Sequence, residues 1–157
     1  MAYSIHPKGY WLWLTLSDES NHYLKTIRDQ IKIDNGTKNF PLHLTLLPLK
    51  IEEVKNYASK LNLYDLTDIN NSDWQLDFNF NNYFQSIFLK PIDLIKFNNH
   101  MKEIGISQKF NKDVHISLVY SKININPKSL PFKSVKICFK KIQIAYVDES
   151  NEIWILV

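Results

Sequence analysis

The hydrophobic and polar positions in the first half of the chain alternate between the period of a strand and that of a helix. Aromatic and apolar residues fill positions 10–16, which predicts a buried strand, and a similar run at 42–49 predicts another. Each run is followed by apolar residues three or four positions apart, which mark one face of a helix. These are Leu24, Ile27 and Ile31 after the first run, and Ile51, Val54, Ala58 and Leu61 after the second.

The second half shows the same succession of patterns. Apolar and polar residues alternate from Trp74 to Phe80, which predicts a half-buried strand, and a further strand is predicted at 83–89. Pro91 suits the first turn of a helix, and Gly105 is a natural stop for it. A strand at 114–120 follows. Three closing strands are predicted near 134–140, 141–147 and 152–157.

Set side by side, the halves form a repeat of pattern and spacing. Strand, helix, loop and strand begin near positions 10, 18, 34 and 43, and again near 83, 91, 105 and 115, at an offset of 72 to 73 residues. Such a repeat implies two similar lobes related by an approximate two-fold axis. We therefore predict one α+β domain at 1–157, with two pseudo-symmetric lobes around a central cleft. Each lobe would be an antiparallel-rich sheet with outer helices, roughly 1–72 plus the C-terminal strands, and 73–133.

Composition narrows the function classes. The chain has 157 residues and a formal charge of +3, which suits an anionic substrate without the basic stripe of a non-specific nucleic-acid binder. Cys138 is the only cysteine, which excludes an intramolecular disulfide and a thiolate metal site. No export signal and no membrane-length apolar stretch stands out. We expect a cytoplasmic, monomeric protein with no membrane contact and no obligate protein partner.

Two short motifs carry the candidate chemistry. The first is Pro-Leu-His43-Leu-Thr45-Leu and the second is Val-His115-Ile-Ser117-Leu. Residues two apart on a strand share one face, so each motif presents an imidazole and a hydroxyl to one side and apolar side chains to the other. The motifs also occupy matching positions in the two repeats, which makes a chance pairing less credible.

This combination suits phosphoryl hydrolysis without a metal. One neutral imidazole can deprotonate an attacking water, while a protonated imidazole supplies a proton to the leaving oxygen. The two hydroxyls can donate hydrogen bonds to the non-bridging phosphate oxygens. Which histidine is the base and which is the acid is left open by the sequence.

Two other interpretations of the histidines compete with catalysis. Both could be structural residues, because a histidine on a strand ordinarily is. A zinc site would need a third ligand, and no ligand spacing or carboxylate partner marks the remaining histidines His6, His22 and His100. We therefore expect no metal ligand set.

The motifs resemble those of the two-histidine (2H) phosphoesterase superfamily, which has a pair of His-x-Thr/Ser motifs in duplicated lobes. Within it, the chain is most similar to plant- and fungal-type cyclic phosphodiesterases. The residues that carry this similarity are Tyr10-Trp-Leu-Trp-Leu, Phe40-Pro-Leu-His43-Leu-Thr45-Leu, His115-Ile-Ser117-Leu-Val-Tyr120, and the ending with Asp148-Glu149-Ser150 and Trp154.

The resemblance implies catalysis by His43, Thr45, His115 and Ser117, with no cofactor and with the His115 strand on the base side. It also implies that Tyr120 stacks on the substrate base, although its offset of five from His115 requires a bend in the strand. Packing at the strand exit is the alternative role for Tyr120. Tyr10 is a second candidate for substrate binding, with Tyr3 and Trp11 as further members of a base platform, and core packing is the alternative for all three. Lys50 and Lys122 could attract phosphate, with a solvated surface position as the alternative.

The implied reaction is hydrolytic opening of a cyclic phosphodiester on ribose to a phosphomonoester. Candidate substrates are nucleoside 2′,3′-cyclic phosphates, ADP-ribose cyclic phosphate or a short oligonucleotide. Members of the superfamily that cut 2′,5′-oligoadenylate or cyclic-oligonucleotide immune signals, some of them viral, offer an alternative. A non-catalytic nucleotide- or RNA-binding module is the rival from a different class.

Overall fold

The computed structural model describes residues 9–31, 41–80, 85–106, 114–121, 134–148 and 153–156. Within these ranges, strands and helices succeed one another as the sequence predicts. The strands are β1 (Gly9–Leu16), β2 (His43–Leu49), β3 (Ser72–Phe80), β4 (Gln85–Pro91), β5 (Ile116–Ser121), β6 (Ser134–Ile137), β7 (Phe139–Asp148) and β8 (Ile153–Leu156). The helices are α1 (Asp18–Ile31), α2 (Ile51–Ala58) and α3 (Leu94–Glu103), with a single 3₁₀ turn at Leu61–Leu63. No helix in the described ranges is both long enough and apolar enough to cross a membrane.

The strands form one antiparallel sheet whose order reflects the repeat. The order is β6-β3-β4-β5-β2-β1-β7-β8, so β5 and β2 lie at the centre, flanked by the preceding strand of each half, β4 and β1. The two halves meet at a single registered pair, in which Leu44 lies opposite Ile116. The predicted α+β fold with two pseudo-symmetric halves is therefore confirmed, and the approximate two-fold axis passes between these two residues.

The edge strand β6 is also brought close to β7, which lies next to the opposite edge of the sheet. Only Cys138 separates β6 from β7, so Ile137 and Phe139 are at most about 7.6 Å apart, whereas six strand spacings in a flat sheet would span about 29 Å. The sheet must therefore curl. Hydrogen bonds fix the crossing, because the N–H of Ser17 donates to the carbonyl of Cys138 and the N–H of Cys138 donates to Ser20 Oγ, both at 2.9 Å.

One face of the curled sheet buries the main core. Apolar residues from both halves line it, and α1 and α3 cover it with buried side chains, which include Leu24, Ile27, Phe97 and Met101. Leu44 and Ile116 are both 0 % exposed and belong to this core. The other face carries Trp13 in a separate small cluster with Ala145 and Val147. The residues between the core positions therefore point away from the main core.

The structure corrects the sequence predictions at three places. Pro91 ends β4 instead of starting a helix, because the side chain of Asp93 caps α3 by accepting the Lys96 N–H at 3.0 Å. The apolar residues that mark one face of α2 do not become buried, since Ile51 is 74 % exposed and the helix contains no buried residue. The third correction concerns the closing strands, which divide at Cys138 and not at position 140.

Candidate active site

The central strands bring the two predicted motifs together. Leu44 and Ile116 point into the core, so the residues on either side of each project from the opposite face of the sheet. Antiparallel register around this pair places His43 across from Ser117, and Thr45 across from His115. Each imidazole therefore has the hydroxyl of the other repeat as its cross-strand neighbour.

Both motif strands contain a β-bulge at the residue that follows the hydroxyl. Between β1 and β2, Leu12 pairs with Leu47 but Trp13 pairs with Thr45, so Leu46 is the extra residue. Between β4 and β5 the same shift leaves Leu118 as the extra residue. The two bulges are 72 residues apart, which is also the offset of the histidines. Bulges bend a strand and re-aim its side chains, and here they do so at the exit of each motif.

His43 is held from two directions. Its side chain is 4 % exposed and stacks on the indole of Trp13, with ring centroids 3.5 Å apart and planes 12° from parallel. Its Nδ1 lies 2.6 Å from the carbonyl oxygen of Pro41. A carbonyl can only accept, so Nδ1 donates the proton in this contact and a proton transfer by the ring would involve Nε2.

His115 has a matching but different neighbour. Its ring lies against Phe88, with centroids 5.6 Å apart and planes at 67°, an edge arrangement in place of a stack. Phe88 pairs with Ser117 as Trp13 pairs with Thr45, so the two aromatic residues occupy corresponding positions in the repeats. His115 is only half-buried. The two imidazoles therefore share a backbone frame but differ in their aromatic neighbours.

Tyr120 joins the site through Ser117. Its hydroxyl oxygen lies 2.8 Å from Ser117 Oγ, a hydrogen bond in which either group can donate. The bulge at Leu118 supplies the bend that an offset of five from His115 requires. Burial raises the pKa of Tyr120, and the hydrogen bond to Ser117 opposes this shift only in part, so the phenol stays protonated at neutral pH.

The other candidate residues are placed apart from the four motif residues or outside the described ranges. Tyr10 lies on the opposite face of β1 from Trp11 and Trp13 and packs against the main core. Its ring meets that of Tyr146 edge-on, with centroids 5.1 Å apart. Lys50 precedes α2, where its N–H donates to the Glu53 carboxylate at 2.9 Å. Tyr3 and Lys122 lie outside the described residues.

A possible cation-binding cluster lies at the end of α3, on elements that carry none of the motif residues. His100 is buried, its Nε2 is 3.1 Å from the carbonyl oxygen of Asp65, and its Nδ1 is 3.3 Å from Asp68 Oδ2 and 3.9 Å from Glu103 Oε2. Among the described residues, Asp68, His100 and Glu103 are the side chains whose potential ligand atoms lie close enough together to hold one metal ion. The sequence analysis found no carboxylate partner for His100, because Asp68 is far from it along the chain, although the spacing of three residues to Glu103 on α3 was a local signal.

Two solved structures share the overall fold. A crystal structure of a phosphoesterase matches with a TM-score of 0.54 at 13 % sequence identity, over 97 % of this chain and 95 % of that one. The crystal structure of E. coli LigT complexed with phosphate matches with a TM-score of 0.51 at 15 % identity, over 96 % and 93 %. No protein-family model and no curated protein matches the sequence. At these identities the likeness establishes the fold.

Proposed function

We propose that this chain is a metal-independent 2H phosphoesterase that opens a cyclic phosphodiester on ribose. The observation that carries the proposal is the register of Leu44 opposite Ile116, from which a His-x-Thr and a His-x-Ser motif project on one face of the sheet. A fold shared with a phosphoesterase structure, and with a second structure that was solved with bound phosphate, supports the same chemistry. The substrate class is a nucleoside 2′,3′-cyclic phosphate or an ADP-ribose cyclic phosphate.

The reaction requires two proton transfers on opposite sides of phosphorus. One neutral imidazole removes a proton from water as the water oxygen bonds to phosphorus. The bond from phosphorus to one ribose oxygen breaks, and that oxygen receives a proton from the other imidazole, which starts as the imidazolium. The product is a ribose phosphomonoester with a free neighbouring hydroxyl. The two histidines exchange protonation states in each turnover, and solvent restores them.

The hydroxyls supply the electrostatic part of the proposed mechanism. Thr45 and Ser117 each lie across from the histidine of the other repeat, where both can donate to non-bridging phosphate oxygens. Negative charge on these oxygens must be held in place as water attacks. Fixed donors already aimed at them cost no reorganisation during the reaction.

The test is hydrolysis of adenosine 2′,3′-cyclic phosphate in excess EDTA by the intact chain and by His43→Ala and His115→Ala. General acid–base catalysis is worth about 10²–10⁴-fold, so we expect either substitution to lower kcat by that factor. The matched control is His22→Ala, an exposed histidine on α1, which should leave turnover unchanged.

Two results would contradict the proposal. Turnover that disappears in EDTA would mean that a metal performs the chemistry. Absence of turnover with all cyclic ribose phosphates, together with nucleotide binding that His43→Ala and His115→Ala do not alter, would favour the non-catalytic binding module.

A further inference from the structure

A basic pocket lies next to His43, between α1 and the part of the sheet where Trp13 and Thr15 share the face of the motif residues. Its volume is about 570 Å³, within the range of small-molecule sites. Trp13, Thr15 and Gln143 are among its lining residues, and Pro41 and Leu42 lie at its border with β2. The motif residues themselves are not part of its lining, so this is a separate space beside them.

Four cationic side chains line this pocket, and a β-bulge helps to place two of them. Thr15 pairs with Lys141 and Leu16 with Phe139, which leaves Lys140 as the extra residue of β7. A bulge interrupts the strict alternation of a strand, so the consecutive lysines 140 and 141 both reach the pocket. Thr15 fixes the start of β7 by donating its hydroxyl to the Lys141 carbonyl at 3.0 Å.

Helix α1 contributes the other two cations. Asp18, Asn21, Lys25 and Arg28 recur at spacings of three, four and three residues, which places them along one side of the helix. Arg28 is 4 % exposed, so its guanidinium is a fixed part of the pocket wall. The pocket is therefore built from a helix stripe and a bulged strand.

The charge of this lining is strongly unbalanced. Among the described lining residues, four cations accompany one carboxylate, Asp18, which lies 3.5 Å from Lys140, and Asp29 outside the lining also attracts Arg28. Neither Lys25 nor Lys141 forms an ion pair with a carboxylate of the described residues. A concave lining of this sign concentrates anions, and lysine and arginine side chains are both established donors to phosphate oxygens.

The pocket is joined to the motif residues through three contacts of His43. Trp13 stacks on its ring, Pro41 accepts its Nδ1–H, and Thr15 is its cross-strand neighbour. Thr15 is in turn the neighbour of Lys141 on β7. Lys141 therefore lies about two strand spacings, or about 10 Å, from His43 along the sheet. A phosphate at this distance would belong to the same ligand as the reacting one.

We propose that this pocket binds a second phosphate group of the substrate. The inference rests on the proposed function of the His43 and His115 site and narrows its substrate class. The preferred substrate carries at least one phosphate besides the cyclic one, as an ADP-ribose cyclic phosphate or a 5′-phosphorylated nucleotide does. A nucleoside 2′,3′-cyclic phosphate without a further phosphate leaves the pocket empty.

The test compares two substrates that differ by one phosphate, adenosine 2′,3′-cyclic phosphate with and without a 5′-phosphate. We expect kcat/KM to be about tenfold higher or more for the 5′-phosphorylated compound, and the difference to shrink with added salt. The double variant Lys25→Gln, Lys141→Gln should abolish this preference and leave kcat/KM for the other substrate unchanged. The control, Lys55→Gln with Lys102→Gln, removes the same charge from exposed positions on α2 and α3 and should keep the preference.

The outcomes separate failure of this inference from failure of the proposed function. Equal turnover of both substrates, or a preference that persists in the double variant, overturns the second-phosphate site and leaves the enzyme proposal intact. If neither substrate is turned over, the proposed function loses these two nucleotides as substrates, and calorimetric binding of adenosine 5′-monophosphate decides on the pocket. Binding that Lys25→Gln, Lys141→Gln weakens about tenfold supports it, whereas binding that is absent or insensitive to the change overturns it.

Discussion

Removal of the Tyr120 hydroxyl tests how Ser117 is oriented. The two oxygens are 2.8 Å apart, and each hydroxyl has a single hydrogen to donate. If Ser117 donates its hydrogen to a phosphate oxygen, it must accept the hydrogen bond from Tyr120. Tyr120 would then fix the direction of the Ser117 O–H without contacting phosphate.

The expected magnitudes differ for the two residues. Ser117→Ala removes a donor to the transition state, a change worth about 10²–10³-fold in kcat. Tyr120→Phe leaves that donor in place but frees it to rotate. The cost is that of one neutral hydrogen bond, about 0.5–1.5 kcal/mol, which corresponds to a two- to tenfold decrease in kcat.

The assay is a double-mutant cycle on kcat. Because Tyr120 acts only through Ser117, Tyr120→Phe should have no further effect once Ser117→Ala is present, and the coupling should equal the whole effect of Tyr120→Phe. Tyr146→Phe is the matched control, because Tyr146 packs against Tyr10 away from the motif residues. It should leave kcat unchanged.

Additive losses in the two backgrounds would refute this reasoning, since they would mean that the Tyr120 hydroxyl contacts the substrate itself. A second contrary result is also informative. Full activity in Tyr120→Phe together with a raised KM in Tyr120→Leu would assign the residue to stacking on the base, the role that the family resemblance implies.

Four further outcomes follow from other contacts. Trp13→Leu should lower the free energy of unfolding by about 2–3 kcal/mol and also lower kcat, because it removes a fully buried ring that stacks on His43; chemical denaturation and turnover measure the two effects. Gly105→Ala meets no atom within 4 Å but forces φ of +89° on an alanine, so it should cost about 1 kcal/mol, or about 2–4 °C in Tm. The raised pKa of Tyr120 means that the folded state holds the phenol proton more tightly than the unfolded state does. The resulting contribution to the free energy of unfolding is present below pH 10 and is lost as pH rises above it. In alkaline denaturation, Tyr120→Phe should therefore lose less stability with rising pH than the intact chain. A p-nitrophenyl phosphodiester has a leaving group that needs no protonation. With this substrate we expect His43→Ala to keep most of the turnover of the intact chain and His115→Ala to remain impaired; the reverse result would make His43 the base and His115 the acid.

Periodicity predicted most of the fold because the core pattern is local. Each strand and helix carries its own apolar period, so elements such as Gly9–Leu16 and Asp18–Ile31 lie within one or two residues of where the sequence placed them. The repeat offset also anticipated the centre of the sheet. Two strands offset by 72 residues and related by a two-fold axis must pair at equivalent residues, as Leu44 and Ile116 do.

The features that the sequence did not predict depend on partners in other strands. A bulge is defined by register against a neighbour, so nothing in the sequence around Leu46 or Leu118 announces one. The crossing at Cys138 is also not visible in the sequence. There the chain leaves the edge strand β6 and enters β7, next to the opposite edge of the sheet, while the alternation of apolar residues continues nearly unbroken. The stack of Trp13 on His43 follows from the first bulge, because the shifted register decides which residue lies beside the imidazole.

The repeated halves form a symmetric frame with unequal surroundings. Two histidines in identical sites would share one proton equally, whereas unequal contacts can assign the neutral and the protonated ring of the proposed reaction to particular residues. Trp13 presents its face to His43, and an aromatic face attracts an imidazolium, while the Pro41 carbonyl accepts a hydrogen bond that strengthens when the ring is charged. The ring of the half-buried His115 meets Phe88 edge-on, so its contact with this aromatic residue differs from the stack of Trp13 on His43. We therefore propose that His43 is the acid and His115 the base, the assignment that the family resemblance also implies, and turnover of the p-nitrophenyl phosphodiester tests it.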